Sequence, residues 1–208
     1  MLSTGLFTLN FCCGGFAPRH LSRSASSCCN DMKPPEHIET ERLMLRLPSV
    51  ADAQAIFNSY ARNAEVVRYV TWRPHKNIQE TERFLTGCIA DWEQNTRFPY
   101  TIIIKESGAV AGMIEIRING FKADVGYVLS PQYWGRGMAT EALSSLVEWA
   151  SVQSSIYRIW AVCDVDNLAS SHVLEKVGMQ REGLLRRYTM HPNFSDEPRD
   201  CYCYAITK

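Results

Sequence analysis

Residues 40–47 (TERLMLRL) set Leu43, Leu45 and Leu47 against Met44 and Arg46, the two-residue period of a strand. Pro48 stops it, and Ser49 with Asp52 three residues on has the spacing of a capping box. Ile56, Phe57 and Tyr60 then share one helical face, and residues 66–70 read as a further short helix. Asn77 followed by Glu80 opens a longer helix with the stripe Phe84, Leu85, Cys88, Ile89 and Trp92. Residues 100–105 and 111–119 form a hairpin around the turn 106–108, with Ile114, Ile116 and Ile118 alternating with Glu115, Arg117 and Asn119. Residues 123–129 make another strand, stopped by Pro131. The strongest helical pattern is 139–150, where Ala139, Ala142, Leu143, Leu146, Val147 and Ala150 fall on one stripe. The apolar run 156–163 reads as a strand covered on both faces. A short helix from Asn167 to Lys176 ends at Gly178, and 184–190 and 201–206 are the last two strands. The order predicts a mixed α/β (α+β) domain, antiparallel at first and strand–helix–strand–helix later.

Composition splits the chain in two. Residues 1–31 hold the doublets Cys12-Cys13 and Cys28-Cys29, several serines, and no acid before Asp31. They lack periodicity and are expected to be a disordered N-terminal extension, with Met32 as an alternative start. A transit peptide fits the Ser and Arg content but not the missing amphipathic basic face. The domain is expected over residues 32–208. Removing Arg19, Arg23 and Asp31 from the totals of 22 basic and 22 acidic residues leaves 20 and 21. That balance argues against a nucleic-acid partner. No apolar run reaches the roughly 18 residues of a membrane span. The remaining cysteines, Cys88, Cys163, Cys201 and Cys203, show no C-x-x-C pair. No metal is expected, and a reducing, cytoplasmic compartment fits.

The chemistry lies in Pro131–Thr140 (PQYWGRGMAT), where a strand end, a Gly-x-Gly turn and a strong helix meet. Glycines allow positive φ and close approach of a ligand. The first turn of the helix offers unpaired N–H groups and the positive end of its dipole, a setting for phosphate. The spacing is neither the Walker nor the dinucleotide-binding pattern.

Gln132-x-x-Gly135-x-Gly137 resembles the Gln/Arg-x-x-Gly-x-Gly/Ala motif of the GNAT acetyltransferase superfamily. Gly126–Pro131 (GYVLSP), Asn167-x-x-Ser170, Glu175-Lys-Val-Gly178, Glu182-Gly183, Arg186 and Thr40-Glu-Arg-Leu-x-Leu-Arg46 resemble its RimJ/RimL branch, the ribosomal-protein alanine N-acetyltransferase type. The resemblance spans residues 38–208 and implies a GNAT fold, with a mixed sheet of about seven strands flanked by helices. It implies acetyl-CoA as co-substrate, held between strands 123–129 and 156–163 where they splay apart. Gln132, Trp134, Gly135, Arg136, Gly137, Met138, Ala139 and Thr140 would hold the pyrophosphate. The Val128 and Leu129 backbone would meet the acetyl carbonyl, and Asn167 the pantetheine arm. The branch signature makes Ser170 the candidate acid for the leaving thiolate, although a capping serine fits the same place. The family's alternative, a Tyr on this helix, is absent between Asn167 and Gly178.

Glu115, pointing away from Ile114 and Ile116, is the first candidate base and Asp124 the second, although an ordinary solvated strand carboxylate is the simpler reading of either. An acid that some branch members place after Glu-Gly is replaced here by Thr189. His172 and His191 are further candidate proton carriers, although a lone histidine is more often structural. Trp72 stands in the loop that the resemblance places on the acceptor side, where packing on the core explains it equally well. An α-amine, with pKa about 7.7–8.0, is easier to deprotonate than Lys at about 10.4, a gap of about 3.5 kcal/mol. A protein or peptide N-terminus is therefore the expected acceptor, attacked directly in a ternary complex. A small amine (antibiotic, polyamine or amino acid) and a CoA-binding sensor are the alternatives, and the assembly is expected to be a monomer or homodimer.

Overall fold

The computed structural model describes residues 32–95 and 97–208. The extension expected over 1–31 lies outside the described residues. One eight-stranded sheet runs through the domain in the order β1-β2-β3-β4-β5-β6-β8-β7. Its strands are β1 (His37–Glu39), β2 (Leu43–Arg46), β3 (Phe98–Ile104), β4 (Val110–Asn119), β5 (Lys122–Leu129), β6 (Arg158–Asp164), β7 (Gln180–Thr189) and β8 (Arg199–Thr207). The short edge strand β1 takes the sheet beyond the expected seven. With three residues, it is too brief for an alternating pattern to register. β7 begins four residues before the expected 184, because pairing with β8 carries the polar segment Gln180–Gly183 into the ladder.

The helices follow their caps. Ser49 and Asp52 complete the capping box at a 3-10 turn (Val50–Asp52), which leads into α1 (Ala53–Ile56) and a π turn over Phe57–Ala61. The short helix expected at 66–70 is a 3-10 turn, Val66–Tyr69. Asn77 accepts from the Glu80 N–H at the start of α2 (Ile78–Glu93), which buries Leu85, Cys88 and Trp92. α3 (Met138–Val152) buries Ala142, Leu143, Leu146, Val147 and Ala150, the stripe read from the sequence. Asn167 caps α4 (Leu168–Lys176), and Gly178 follows with φ +87°.

Strand alternation gives the sheet two working faces. Ala123, Val125 and Leu129 of β5, with Ile159, Ala161 and Cys163 of β6, join the core under α3. Met113 and Val128 instead pack with Ile56, Tyr60, Leu85 and Cys88 under α1 and α2. Asp124 and Asp164, an odd number of residues from the α3-side set, therefore face the α1/α2 side. Glu115, two residues from Met113, does so too.

All strand pairs are antiparallel except β5 with β6. These two pair only through Lys122–Asp124 against Arg158–Trp160. Beyond Asp124 they part, and the β6-facing edge of Val125–Leu129 loses its strand partner. β4 stays close to that free end of β5 because Gly112 has no side chain: a Cβ there would lie 2.1 Å from the Val128 carbonyl oxygen.

Candidate active site

The gap between β5 and β6 opens into a cleft of about 690 Å³, within the range typical of small-ligand sites. It passes through the sheet. Leu129, Gly137 and Ser170 line its α3 side, and Trp72, Glu115 and His191 its α1/α2 side.

At the α3 end, Pro131–Tyr133 forms a 3-10 turn and Gly135 and Gly137 take φ +69° and +75°. Ser49, Asn77 and Asn167 each cap a helical start with a side chain, whereas α3 starts on Gly137, which has none. The N–H groups of Met138, Ala139 and Thr140 are left for a ligand. Gln132, Trp134 and Arg136 are exposed beside them. The Trp134 indole donates to the Leu129 carbonyl at 2.8 Å and so braces the end of β5.

The loop is strapped from a distant part of the chain. Glu141, in the first turn of α3, accepts from the Thr40 hydroxyl (2.5 Å), the Arg42 N–H (2.8 Å) and Arg42 Nε (2.7 Å). Arg42 Nη1 also donates to the Arg136 carbonyl at 3.0 Å. Burial would raise the Glu141 carboxyl, but the bonds from Thr40 and Arg42 outweigh it and hold it below its ordinary 4.5. A depressed folded-state value stabilises the fold above the ordinary one, and that contribution is lost as pH falls through the folded value. Between about pH 5 and about pH 3, the melting temperature of the wild type should therefore fall more steeply than that of Glu141→Gln. Equal slopes in a thermal melt series would show that the strap contributes nothing. Carboxylates common to both proteins cancel in this difference.

Backbone alternation sorts the strand donors. Ser130 N–H donates to the Ala111 carbonyl at 2.8 Å, so Val128, two residues back, also turns its N–H toward β4. The Leu129 and Tyr127 N–H groups face the gap.

Ser170 sits in the first turn of α4, where its N–H donates to Asn167 Oδ1 at 3.2 Å. Its hydroxyl lies 2.9 Å from that of Tyr127. Burial raises the Tyr127 phenol above its ordinary value, against a smaller opposing effect of the Ser170 hydrogen bond. It stays protonated throughout the neutral range. Sequence reading looked for a tyrosine on α4 and found none; the structure supplies one from β5. The Tyr127 position in an alternating strand carries no mark of this contact.

On the α1/α2 side of the cleft Glu115, Asp124 and Asp164 each meet a guanidinium. Arg97 Nη1 is 2.9 Å from Glu115 and Arg117 Nη2 2.5 Å from Asp124. Arg199 Nε is 2.6 Å from Asp164. Burial raises the Asp124 carboxyl in spite of Arg117. For Asp164, burial is overcome by Arg199 and the Asp166 N–H, and its carboxyl is lowered. The wall is built from the 66–72 segment and the loop between β7 and β8. Asn193 Nδ2 ties them together by donating to the carbonyls of Val67 (2.7 Å) and Trp72 (2.6 Å). Trp72 packs against His75 with ring centroids 5.3 Å apart. His172 is exposed on α4, and Thr189 is buried with an unpartnered hydroxyl. Among the described residues no three His, Cys, Asp or Glu side chains cluster as metal ligands, and no helix is long and apolar enough to cross a membrane.

An uncapped helix start beside a splayed strand edge offers a site for a phosphate group and for an extended, hydrogen-bonding arm. Residues 42–180 match the acetyltransferase (GNAT) domain, and the chain belongs to that family. It is 32% identical over 174 residues to the uncharacterized N-acetyltransferase YoaA of Bacillus subtilis, covering 82% of this chain and 96% of the relative. It is 26% identical over 143 residues to the spermidine N(1)-acetyltransferase of Escherichia coli, covering 67% and 74%. A GNAT-family acetyltransferase structure from Bacillus anthracis superposes with TM-score 0.72 at 26% identity, covering 82% of this chain and 98% of that one. The fold is shared with RimL, the ribosomal L7/L12 α-N-protein acetyltransferase solved with coenzyme A, at TM-score 0.74 and 22% identity over 83% of this chain and 98% of that one. The protein is an acetyl-CoA-dependent N-acetyltransferase.

Proposed function

We propose that the chain acetylates the α-amine at the N-terminus of a protein or peptide. The observation that carries this is the pairing of Glu115, Asp124 and Asp164 with Arg97, Arg117 and Arg199. A polyamine needs free carboxylates for its additional cationic charges, and here three are already paired with arginines, which leaves the exposed Glu65 of the cleft lining. A single amine that must lose a proton before attack is suited to such a wall.

Gly135, Arg136, Gly137 and the N–H groups of Met138, Ala139 and Thr140 hold the pyrophosphate, beside Gln132 and Trp134. The Tyr127 and Leu129 N–H groups continue the sheet onto the pantetheine arm and receive the developing oxyanion, while Val128 and Asn167 shape the same wall. The amine nitrogen enters from the α1/α2 side and attacks the thioester carbonyl carbon as the C–S bond breaks. The Ser170–Tyr127 hydroxyl pair returns a proton to the sulfur. Holding the two reactants in register is worth about 7–11 kcal/mol, more than the about 10²–10⁴-fold of proton transfer, so positioning dominates. Glu115 and Asp124 serve here as fixed charges that keep their arginines in place.

The test is thiol release from acetyl-CoA with N-terminal peptides of varied first residue, spermidine, free amino acids and aminoglycosides. Peptides should give the highest kcat/KM. A higher value with spermidine would replace this reading by the small-amine one, and CoA binding without turnover of any acceptor would replace it by a sensor.

A further inference from the structure

We propose that His191 accepts the proton of the acceptor amine, with Asp164 as its positioning residue. This rests on the acetyl-transfer reading above. His191 lines the cleft yet is only 5% exposed, and its polar neighbours, the Val70 carbonyl and Asp164, leave both ring nitrogens short of full hydrogen-bond geometry. A buried imidazole held this loosely costs the fold rather than stabilising it. Its Nε2 stands 3.6 Å from Asp164 Oδ2, too long for a hydrogen bond but close enough to stabilise a charged ring.

The surroundings suit a ring that cycles between neutral and charged. Asp164 reaches it from β6, Arg199 from β8, and Tyr69 and the Val70 carbonyl from segment 66–70, while Thr189 and Cys201 line the same cleft. The Arg199 charge is taken up by Asp164 and Asp166. Burial pushes the Cys201 thiol up to about 11, so it stays protonated at neutral pH. Burial pushes the imidazole below its ordinary 6.5, against the opposing pull of Asp164 and the Val70 carbonyl. The ring is thus neutral, with a lone pair available, at the pH where the amine still carries its proton. Thr189, where some relatives by resemblance place an acid, leaves a second unpartnered polar atom in the same wall. Glu115 and Asp124 face the same side but are engaged in ion pairs with Arg97 and Arg117.

The protons balance as follows. The ammonium group gives one proton to His191, becoming a neutral amine and leaving an imidazolium. The nitrogen attacks the acetyl carbon, and the C–S bond breaks with its electron pair on sulfur. The second proton lost by nitrogen offsets the one that sulfur receives from the Ser170–Tyr127 pair. His191 then releases its proton to solvent, the single net proton of the reaction.

The experiment is the pH profile of kcat at saturating acceptor, for wild type and His191→Gln. The wild type should lose activity as pH falls through the ring's pKa, below the ordinary histidine value. His191→Gln should lose this acid limb and fall about tenfold in kcat near neutral pH, where part of an α-amine is already deprotonated. Its affinity for CoA should match the wild type. A second measurement needs no variant: the His191 ring resonance in NMR of the wild type should titrate with the midpoint of the kcat limb. An unchanged limb in His191→Gln, or a ring midpoint away from it, overturns the inference while leaving acetyl transfer intact. A wild type that acetylates no acceptor overturns both.

Discussion

Gly137→Asp should raise the dissociation constant for CoA about 10³-fold while leaving the domain folded. The backbone at this position has φ +75°, a region that costs a non-glycine residue about 1–2 kcal/mol but which aspartate enters more readily than most. An added Cβ meets only Arg42 Nη2, at 3.5 Å, an ordinary contact. Packing therefore accepts the change. Binding does not, because the new carboxylate stands among the N–H groups of Met138, Ala139 and Thr140 that would meet the pyrophosphate. Charge-assisted hydrogen bonds are worth about 1.5–3 kcal/mol each, and losing two of them, or opposing them with like charge, removes about 4 kcal/mol. That is about three powers of ten in affinity. Titration calorimetry with CoA measures it, and the neutral Gly137→Asn should fall between the two proteins. Aspartate binding CoA within about threefold of glycine would remove this helix start from the cofactor site.

Ser170→Ala and Tyr127→Phe should each lower kcat by about 10²-fold, and the double variant by no more than either alone. The two hydroxyls are 2.9 Å apart and share one hydrogen bond. A donor that gives its proton to the thiolate must be resupplied, so removing either oxygen breaks the same route. Residues acting as a unit give non-additive losses of this kind. CoA affinity should change little, since the pyrophosphate contacts lie on another helix. Multiplying losses in the double variant would mean two independent roles. An unchanged rate in Ser170→Ala would remove that residue from the reaction.

How far these sites were legible follows from the distance over which each signal acts. The α3 stripe, the Asn77 and Asn167 caps and the Ser49–Asp52 box are written within a few residues of themselves, and each forms as read. The Gly135-x-Gly137 turn is equally local, and its positive φ values follow from residue type. β1 was missed because three residues carry no period. β7 was read short because its first residues are polar, and at the sheet edge they remain exposed.

The side-chain partnerships are of another kind. Arg42 meets Glu141 across 99 residues, Tyr127 meets Ser170 across 43, and Arg199 meets Asp164 across 35. His191, a lone histidine after a strand, gives no local sign that Asp164 and the cleft stand beside it.

The sequence by itself therefore determined the elements, the Gly135-x-Gly137 turn and the family. These rest on backbone geometry and hydrophobic period, which a short stretch of chain specifies. The tertiary structure alone decided which hydroxyl backs Ser170, which carboxylates meet arginines and which imidazole stands in the cleft wall. Those outcomes depend on strand order and on the parting of β5 from β6, and both are fixed only when distant segments pack.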